Sequence, residues 1–474
     1  MGIPKLKKTI SKYQIPLAFL GIFAASFYLY YPSLSYYFFQ DDWFVLNWVR
    51  TDDFWSFFKF RTDIIYWRPL TMPIFFKIGQ VFFDLKPFGY HLIVFFFHFL
   101  NIILVYILFR TLKVSKKISL MSSFLYGTAA FHFVPLSWLS TTSYVIGPTF
   151  ILSTLILFLT QKIIFSFTFF LFALAASEFT LIAIPILLIL KGINKPTLKK
   201  LLPCLIISIF YLIARFFIFP LPRTDQYEIG FGPRILTNLF WYFVWTFNIP
   251  EKMSTIFFFS KPKSSIIASL QFIRYLILPI ILIITFLFTV FLSELNFKKI
   301  IKGVEWFILG ISPVLLLPKH AFPMYLTVGA IGLFYLFALS LEKLQIKNNL
   351  LLLMFSTIWI ISSYLTLSFT KETHWTVNEQ AISKAYLGYI VNKVEKPAAD
   401  SLFVLKPADI DFSQKHGFTL IETEENVKQS LNDQDAIQVI YNDSSLKSIY
   451  TTHQRELTFP SSIEIFEINP RIND

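Results

Sequence analysis

Two carboxylates stand side by side in FFQDDWFVLNWVR, residues 38–50, where an apolar aromatic run gives way to Asp41 and Asp42. A carboxylate at the end of a membrane helix can take a proton from a hydroxyl, and general-base help of that kind is worth about 10²–10⁴-fold in rate. Neighbouring helical positions diverge by about 100°, so at most one of the two faces a shared cavity. The other is left to cap, to pair with a base or to orient its neighbour. Plain solvation of a helix end explains such a pair equally well, and Asp52-Asp53 a few residues on reads that way.

Cations to hold an anion occur in two other stretches. YWRPLT, Tyr66 to Thr71, carries Arg68, whose planar guanidinium can grip a phosphate through two nitrogens or simply snorkel to the interface. LPKHAFPMYL carries Lys319, His320 and Tyr325. FHFVPLSWLS adds His132 and Trp138, and ASEFTLIAIP adds Glu178. In KPFGYHLIVFFFHFLNIILVYILFR, His91, His98 and Asn101 recur at spacings of seven and three, on one helix face. Polar groups inside a span are costly and turn inward, where they line a cavity or hydrogen-bond between helices. No third ligand at suitable spacing suggests a metal site. Acids to take a proton, with bases to hold an anion at the same membrane face, suit chemistry on a lipid phosphate.

Other chemistries lack their signatures. There is no Walker loop, GxSxG elbow, HExxH or dinucleotide fingerprint, so a soluble nucleotide-sugar donor and a bound cofactor are not indicated. Cys204 is the one cysteine, which rules out an internal disulfide.

The elements that must position these residues are membrane helices. Of the 474 residues 55% are hydrophobic, 19% aromatic and 15% charged, with a mean hydropathy of +0.60. Several runs reach the roughly 20 apolar residues that cross a bilayer. We expect an all-α polytopic membrane protein of about eleven spans, near 15–38, 88–110, 117–133, 144–161, 163–177, 179–191, 201–219, 266–292, 303–318, 322–341 and 349–369. Residues 163–191 could form one kinked helix or two short ones broken at Ser177-Glu178. Two short helices keep Lys5, Lys7, Lys8, Lys12, Arg110, Lys113, Lys116, Lys117, Lys191, Lys195, Lys199 and Lys200 on one side, with Asp41, Asp42, Asp84, Asp225, Glu228 and Glu251 on the other. That is the positive-inside pattern, with the N-terminus cytoplasmic. The formal charge of +13 is then a signature of topology, not of nucleic-acid binding.

Residues 1–370 form the membrane domain, with long outer loops at about 39–87 and 220–265 that contain the helix-like stretches LTMPIFFKIGQVFF and ILTNLFWYFVWTF. Residues 371–474 carry 16 acids against 10 bases. Their apolar runs SLFVL, AIQVIY and SSIEIFEI read as the strands of a small extracytoplasmic α/β domain.

The order QDDW, YWRPLT, PFGYHLIVFFFHFLN, FHFVPLSWLS, ASEFTLIAIP, PKHAFPMYL, over roughly residues 15–370, resembles the GT-C glycosyltransferases. It is most similar to bacterial relatives of the transmembrane, TPR-containing protein O-mannosyltransferases. The resemblance implies a membrane enzyme that moves a sugar from a polyprenyl-phosphate-linked donor to an acceptor protein, lipid or glycan, inverting at the anomeric carbon. It implies that one of Asp41 and Asp42, with Asp41 favoured, is the general base, and that Arg68 lies near the donor phosphate or holds the loop; in such a site Lys319 or His320 could stand close to the phosphate. His91, His98 and Asn101 match the polar face of the second span, and Glu178 matches the acid of a Ser-Lys-Glu element. The sequence departs from the pattern in three places. The lysine before Glu178 is missing, Val134 and Pro135 stand where a glutamate is usual near His132, and an acidic tail takes the place of a TPR array. The expected site is a bacterial plasma (inner) membrane, with membrane lipids as partners and no nucleic acid. The competing readings are a transporter or flippase of a lipid-linked sugar and a non-catalytic membrane scaffold.

Overall fold

The computed structural model describes residues 3–61, 64–218, 227–259, 272–345, 349–418, 423–451 and 463–471. Seven helices among them are long and apolar enough to cross a membrane: Gln14–Ser35, Pro87–Thr111, Leu139–Leu159, Lys195–Phe217, Ile273–Leu292, Pro323–Lys343 and Asn349–Thr373. The chain is therefore a mostly helical integral membrane protein, with seven rather than eleven described helices meeting both criteria. Where the remaining spans are expected, the helices are shorter or more charged. Residues 117–133 hold the 12-residue helix Lys116–Gly127. Residues 163–191 form Ile163–Ala176 and Ala183–Lys191, separated by a 3-10 turn at Glu178–Ile182. The 303–318 stretch belongs to Phe297–Leu315, whose first half carries Lys298, Lys299, Lys302 and Glu305. The expected 220–265 loop and the start of the 266–292 span fall partly on residues 219–226 and 260–271, outside the described residues.

The loop stretches are helical as their patterns suggest. Leu70–Ile74 is a π-turn leading into Phe75–Phe83, and Arg234–Thr246 forms the other helix. Helices Phe297–Leu315 and Leu326–Lys343 pack closely, because small residues face one another. A methyl group on Gly310 would run into the backbone of Gly329, and one on Gly332 would meet Phe307 N and Gly303 O. This hairpin fixes its own connection, which carries Lys319, His320 and Tyr325.

Beyond Thr373 the backbone turns at His374, which caps helix Trp375–Lys393 by accepting from Thr376 N. The tail then builds a parallel sheet of β1 (Leu402–Leu405), β2 (Lys447–Tyr450) and β3 (Ile465–Ile468), in the order β2-β1-β3. The central β1 is buried along its whole length, as expected of a parallel strand covered on both faces. The α/β expectation thus holds for SLFVL and for SSIEIFEI, whose first two residues lie outside the described residues. AIQVIY is a correction: it lies in helix Asp435–Tyr441, which ends at Asn442 in the left-handed conformation. Ala436, Ile437 and Val439 bury together, a spacing that a short apolar run shares with a strand. The second strand comes instead from the half-exposed KSIY.

Candidate functional site

The chain reaches Asp41 through a strained turn. Phe39 O accepts from Asp42 N at 3.2 Å, and Gln40, the first central residue, has φ 50° and ψ −129°. Those angles belong to a type II′ turn, a position that glycine normally fills. A glutamine there stores on the order of 1–3 kcal/mol. Helix Asp41–Thr51 starts from this turn.

The two aspartates then part. Asp42 is fully buried. Its Oδ1 accepts from Ser140 N at 2.7 Å and from Ser140 Oγ at 2.6 Å, and its Oδ2 accepts from Phe39 N at 3.3 Å. Burial pushes its carboxyl up to about 7, against the pull of these donors. Asp42 thereby ties the turn to the 139–141 segment. Asp41 is half-buried, and no described residue donates a hydrogen bond to it. Burial raises its pKa, and the nearby Arg68 charge opposes the rise.

Arg68 lies within electrostatic range of Asp41. Its Nε donates to Glu178 Oε2 at 2.7 Å and its Nη2 to Glu178 Oε1, a two-pronged ion pair. Nη1 donates to Ser143 Oγ at 3.2 Å and Nη2 to Tyr144 Oη at 3.5 Å. The guanidinium also lies 4.3 Å from the centre of the Tyr66 ring. Of its five N–H groups, one on Nη1 is left over among the described residues. Glu178 is available because Ser177 breaks the 163–191 stretch and caps the turn by accepting from Phe179 N.

Asp41, Arg68, Glu178, Tyr66 and Tyr227 lie within electrostatic range of one another. Tyr227 in turn packs at a tilt against His320, with ring centres 4.5 Å apart. His320 Nε2 is 2.6 Å from Tyr325 Oη. Its Nδ1 is buried and meets no partner among the described residues. Burial lowers the His320 pKa to about 4, so near neutral pH the ring is uncharged and offers a hydrogen bond rather than a positive charge. Lys319 points to the surface, 3.2 Å from Glu228.

The polar face of the second span lies elsewhere. His91 places Nδ1 3.2 Å from Leu136 O and Nε2 3.2 Å from Tyr36 O. His98 Nε2 sits 3.0 Å from Ser26 Oγ and 3.1 Å from Gly127 O. Asn101 donates to Val145 O at 2.7 Å and accepts from Thr149 Oγ1 at 2.7 Å. His132 packs edge-on against His98, with ring centres 4.6 Å apart. All four are buried, and the first three tie segments of the bundle together. Asp52 and Asp53 also work locally: Asp53 caps the Phe54–Phe58 turn and Asp52 pairs with Arg61 at 3.4 Å. Among the described residues, no three His, Cys, Asp or Glu side chains cluster closely enough to hold a metal ion.

Sequence reasoning did not single out Gln40, Ser140, Ser143, Tyr144 or Tyr227. Ser140 closes the quoted FHFVPLSWLS element, so its place beside a chemical motif was a usable signal. The tyrosines carry none in a chain with 22 of them.

The sequence matches no protein-family model and no curated protein. Among solved structures, the fold is similar to that of the Archaeoglobus fulgidus oligosaccharyltransferase in its apo form, with a TM-score of 0.48 and 13% identity. The match covers 88% of this chain and 64% of that one, so the chain spans less than two thirds of that protein's length.

Proposed function

We propose that this chain is a membrane glycosyltransferase of the GT-C type, transferring a sugar from a polyprenyl-phosphate donor to an acceptor hydroxyl at the extracytoplasmic face of a bacterial plasma membrane. The observation that carries the reading is the Asp41 carboxylate. It is half-buried, accepts no hydrogen bond from the described residues, and stands beside the Arg68–Glu178 pair. A buried acid held only to stabilise a fold is normally hydrogen-bonded, as Asp42 is. The motif order around it, which resembles the GT-C enzymes, supports the same assignment, and the lysine-rich segments opposite the acidic loops support the orientation.

In this mechanism Asp41 takes the acceptor proton as the acceptor oxygen attacks the anomeric carbon. The bond from that carbon to the phosphate oxygen breaks, and polyprenyl phosphate leaves. The unused N–H of Arg68 and the Nδ1 of His320 offer hydrogen bonds to phosphate oxygens, and fixed donors aimed at developing charge lower the barrier. Glu178 cancels much of the Arg68 charge, so the phosphate meets an oriented donor rather than a bare cation. Holding donor and acceptor together adds the proximity contribution. Lys319, on the surface, suits steering of the headgroup more than contact with it.

The test uses purified protein in lipid, a panel of polyprenyl-phosphate sugars, and release of free polyprenyl phosphate as the readout. Turnover that disappears in Asp41→Asn supports the reading. No turnover of any donor, or equal turnover in Asp41→Asn, sinks it and favours a transporter or scaffold.

A further inference from the structure

The residue before Asp41 is held in its strained conformation by the far end of the chain. Gln40 N donates to Ser430 O at 3.0 Å. Ser430 belongs to helix Glu424–Leu431 of the C-terminal domain, and its hydroxyl hydrogen-bonds to Glu379. The same Ser430 Oγ lies 2.8 Å from Asn426 O. Glu379 is 4% exposed, and the side chains of Asn426 and Gln40 lie close to it. One buried acid therefore holds the helix that grips the Gln40 backbone and lies beside the Gln40 side chain.

The grip extends along the carboxylate helix and the residues leading into it. On helix Trp375–Lys393, Gln380 Oε1 accepts from Tyr37 N at 3.2 Å, and Ser383 Oγ accepts from Trp43 Nε1 at 2.9 Å. Ser383 lies about one turn beyond both Glu379 and Gln380 on that helix. Farther along, Asn47 donates to Asp435 at 2.7 Å and to Gln438 at 2.9 Å. Arg50 reaches Asn442 at 3.2 Å and Ser444 at 2.8 Å. Thus helix Asp41–Thr51 is fastened at both ends to residues beyond 371. Asp42 ties it to the membrane bundle, but among the described residues no bond from the bundle fixes the Gln40 amide.

We infer that the C-terminal domain is a positioning element for the carboxylate helix, in which Glu379, acting through Ser430 and the strained Gln40 backbone, sets the direction of the Asp41 carboxylate. The inference rests on the glycosyltransferase reading for its catalytic consequence, though its geometric content does not. Glu379 is a positioning residue, since it acts through Ser430 and Gln40. Its carboxyl suits the task because it can serve several partners at once from a buried site.

The experiment has a structural arm and a kinetic arm. In the structural arm, Asp41→Cys is placed in a Cys204→Ser background in lipid, and its modification rate by a small methanethiosulfonate is measured with Glu379 intact, with Glu379→Ala and with Glu379→Gln. The expected result is a rate change of about fivefold or more in Glu379→Ala and recovery toward the parent in Glu379→Gln, whose amide oxygen can still accept from Ser430. Asn47→Ala, which removes a contact farther down the same interface, should change the rate less than Glu379→Ala. In the kinetic arm, with Asp41 present, Glu379→Ala lowers kcat about tenfold while donor KM stays within about twofold, and Glu379→Gln restores kcat. Equal modification rates in all three Glu379 backgrounds overturn the positioning role. A changed rate in a parent protein that consumes no donor overturns the glycosyltransferase reading and leaves the positioning role standing.

Discussion

Arg68 and Glu178 stand 110 residues apart in the chain and meet through two nitrogen–oxygen contacts, with Nε to Oε2 at 2.7 Å. The Arg68 side chain is 8% exposed and that of Glu178 29%. Removing one partner of such a pair strands the other's charge, which costs about 3–5 kcal/mol. Arg68→Met should therefore lower the thermal midpoint of the protein in lipid markedly. The double variant Arg68→Met with Glu178→Met should recover most of the loss. A double variant as unstable as the sum of the two singles would show the pair to be uncoupled.

The two aspartates should separate by assay. Asp41→Asn should lower kcat by about 10²–10⁴-fold and leave stability within about 0.5 kcal/mol, since no described partner is lost. Asp42→Ala strands the Ser140 amide and hydroxyl and the Phe39 amide, at about 1–3 kcal/mol for each group left unpaired. Measuring kcat and the unfolding midpoint on both variants checks the division of labour. An Asp42→Ala protein as stable as the parent would contradict it.

A base works only when ionised. Burial holds Asp41 above the ordinary aspartate value of 3.8, while the Arg68 charge pulls it back. The acid limb of kcat/KM should therefore lie above pH 3.8, and Arg68→Gln should move it to still higher pH. A limb that stays in place in that variant counts against Asp41. Stability has its own pH dependence through Asp42. With a folded value of about 7, Asp42 keeps a proton that the unfolded chain sheds above about pH 4. Its contribution is full below that point and is lost as the pH rises through 7.

Gln40 occupies turn angles suited to glycine. Gln40→Gly should raise stability by up to about 1 kcal/mol, since relief of strain outweighs the added freedom of the unfolded chain. The amide that bonds Ser430 is retained. A drop in stability would mean that the Gln40 side chain, close to Glu379, contributes more than the backbone strain costs.

Much of the site was legible where a short pattern carried its own physics. Adjacent acids on a helix must diverge, and they do: Asp42 is buried and bonded, and Asp41 is half-buried. Arg68 and Glu178 were both conspicuous as rare charges among apolar residues, but nothing local could say that they pair with each other. His320 was read as a cation because burial, which makes it neutral, comes from rings brought in at positions 227, 322 and 325. The fold class followed from hydropathy, but the helix lengths did not, because helices of nine to 14 residues such as Ala183–Lys191 and Ile163–Ala176 have the apolar content of longer ones. AIQVIY escaped for the opposite reason: six apolar-rich residues are too few to separate a period of 2 from one of 3.6.

The bond from Trp43 to Ser383 joins positions 340 residues apart, and Arg50 reaches 394 residues ahead to Ser444. Trp43 and Arg50 therefore leave the ribosome long before these partners exist. Closing so long a loop costs more entropy than forming contacts within the bundle, and domains made early tend to fold early. The membrane helices can insert and pack while the segment around Asp41 still lacks its clamp. Docking of the residues beyond 371 then follows packing of the membrane helices, and a chain cut short before them enters the membrane without a fixed carboxylate.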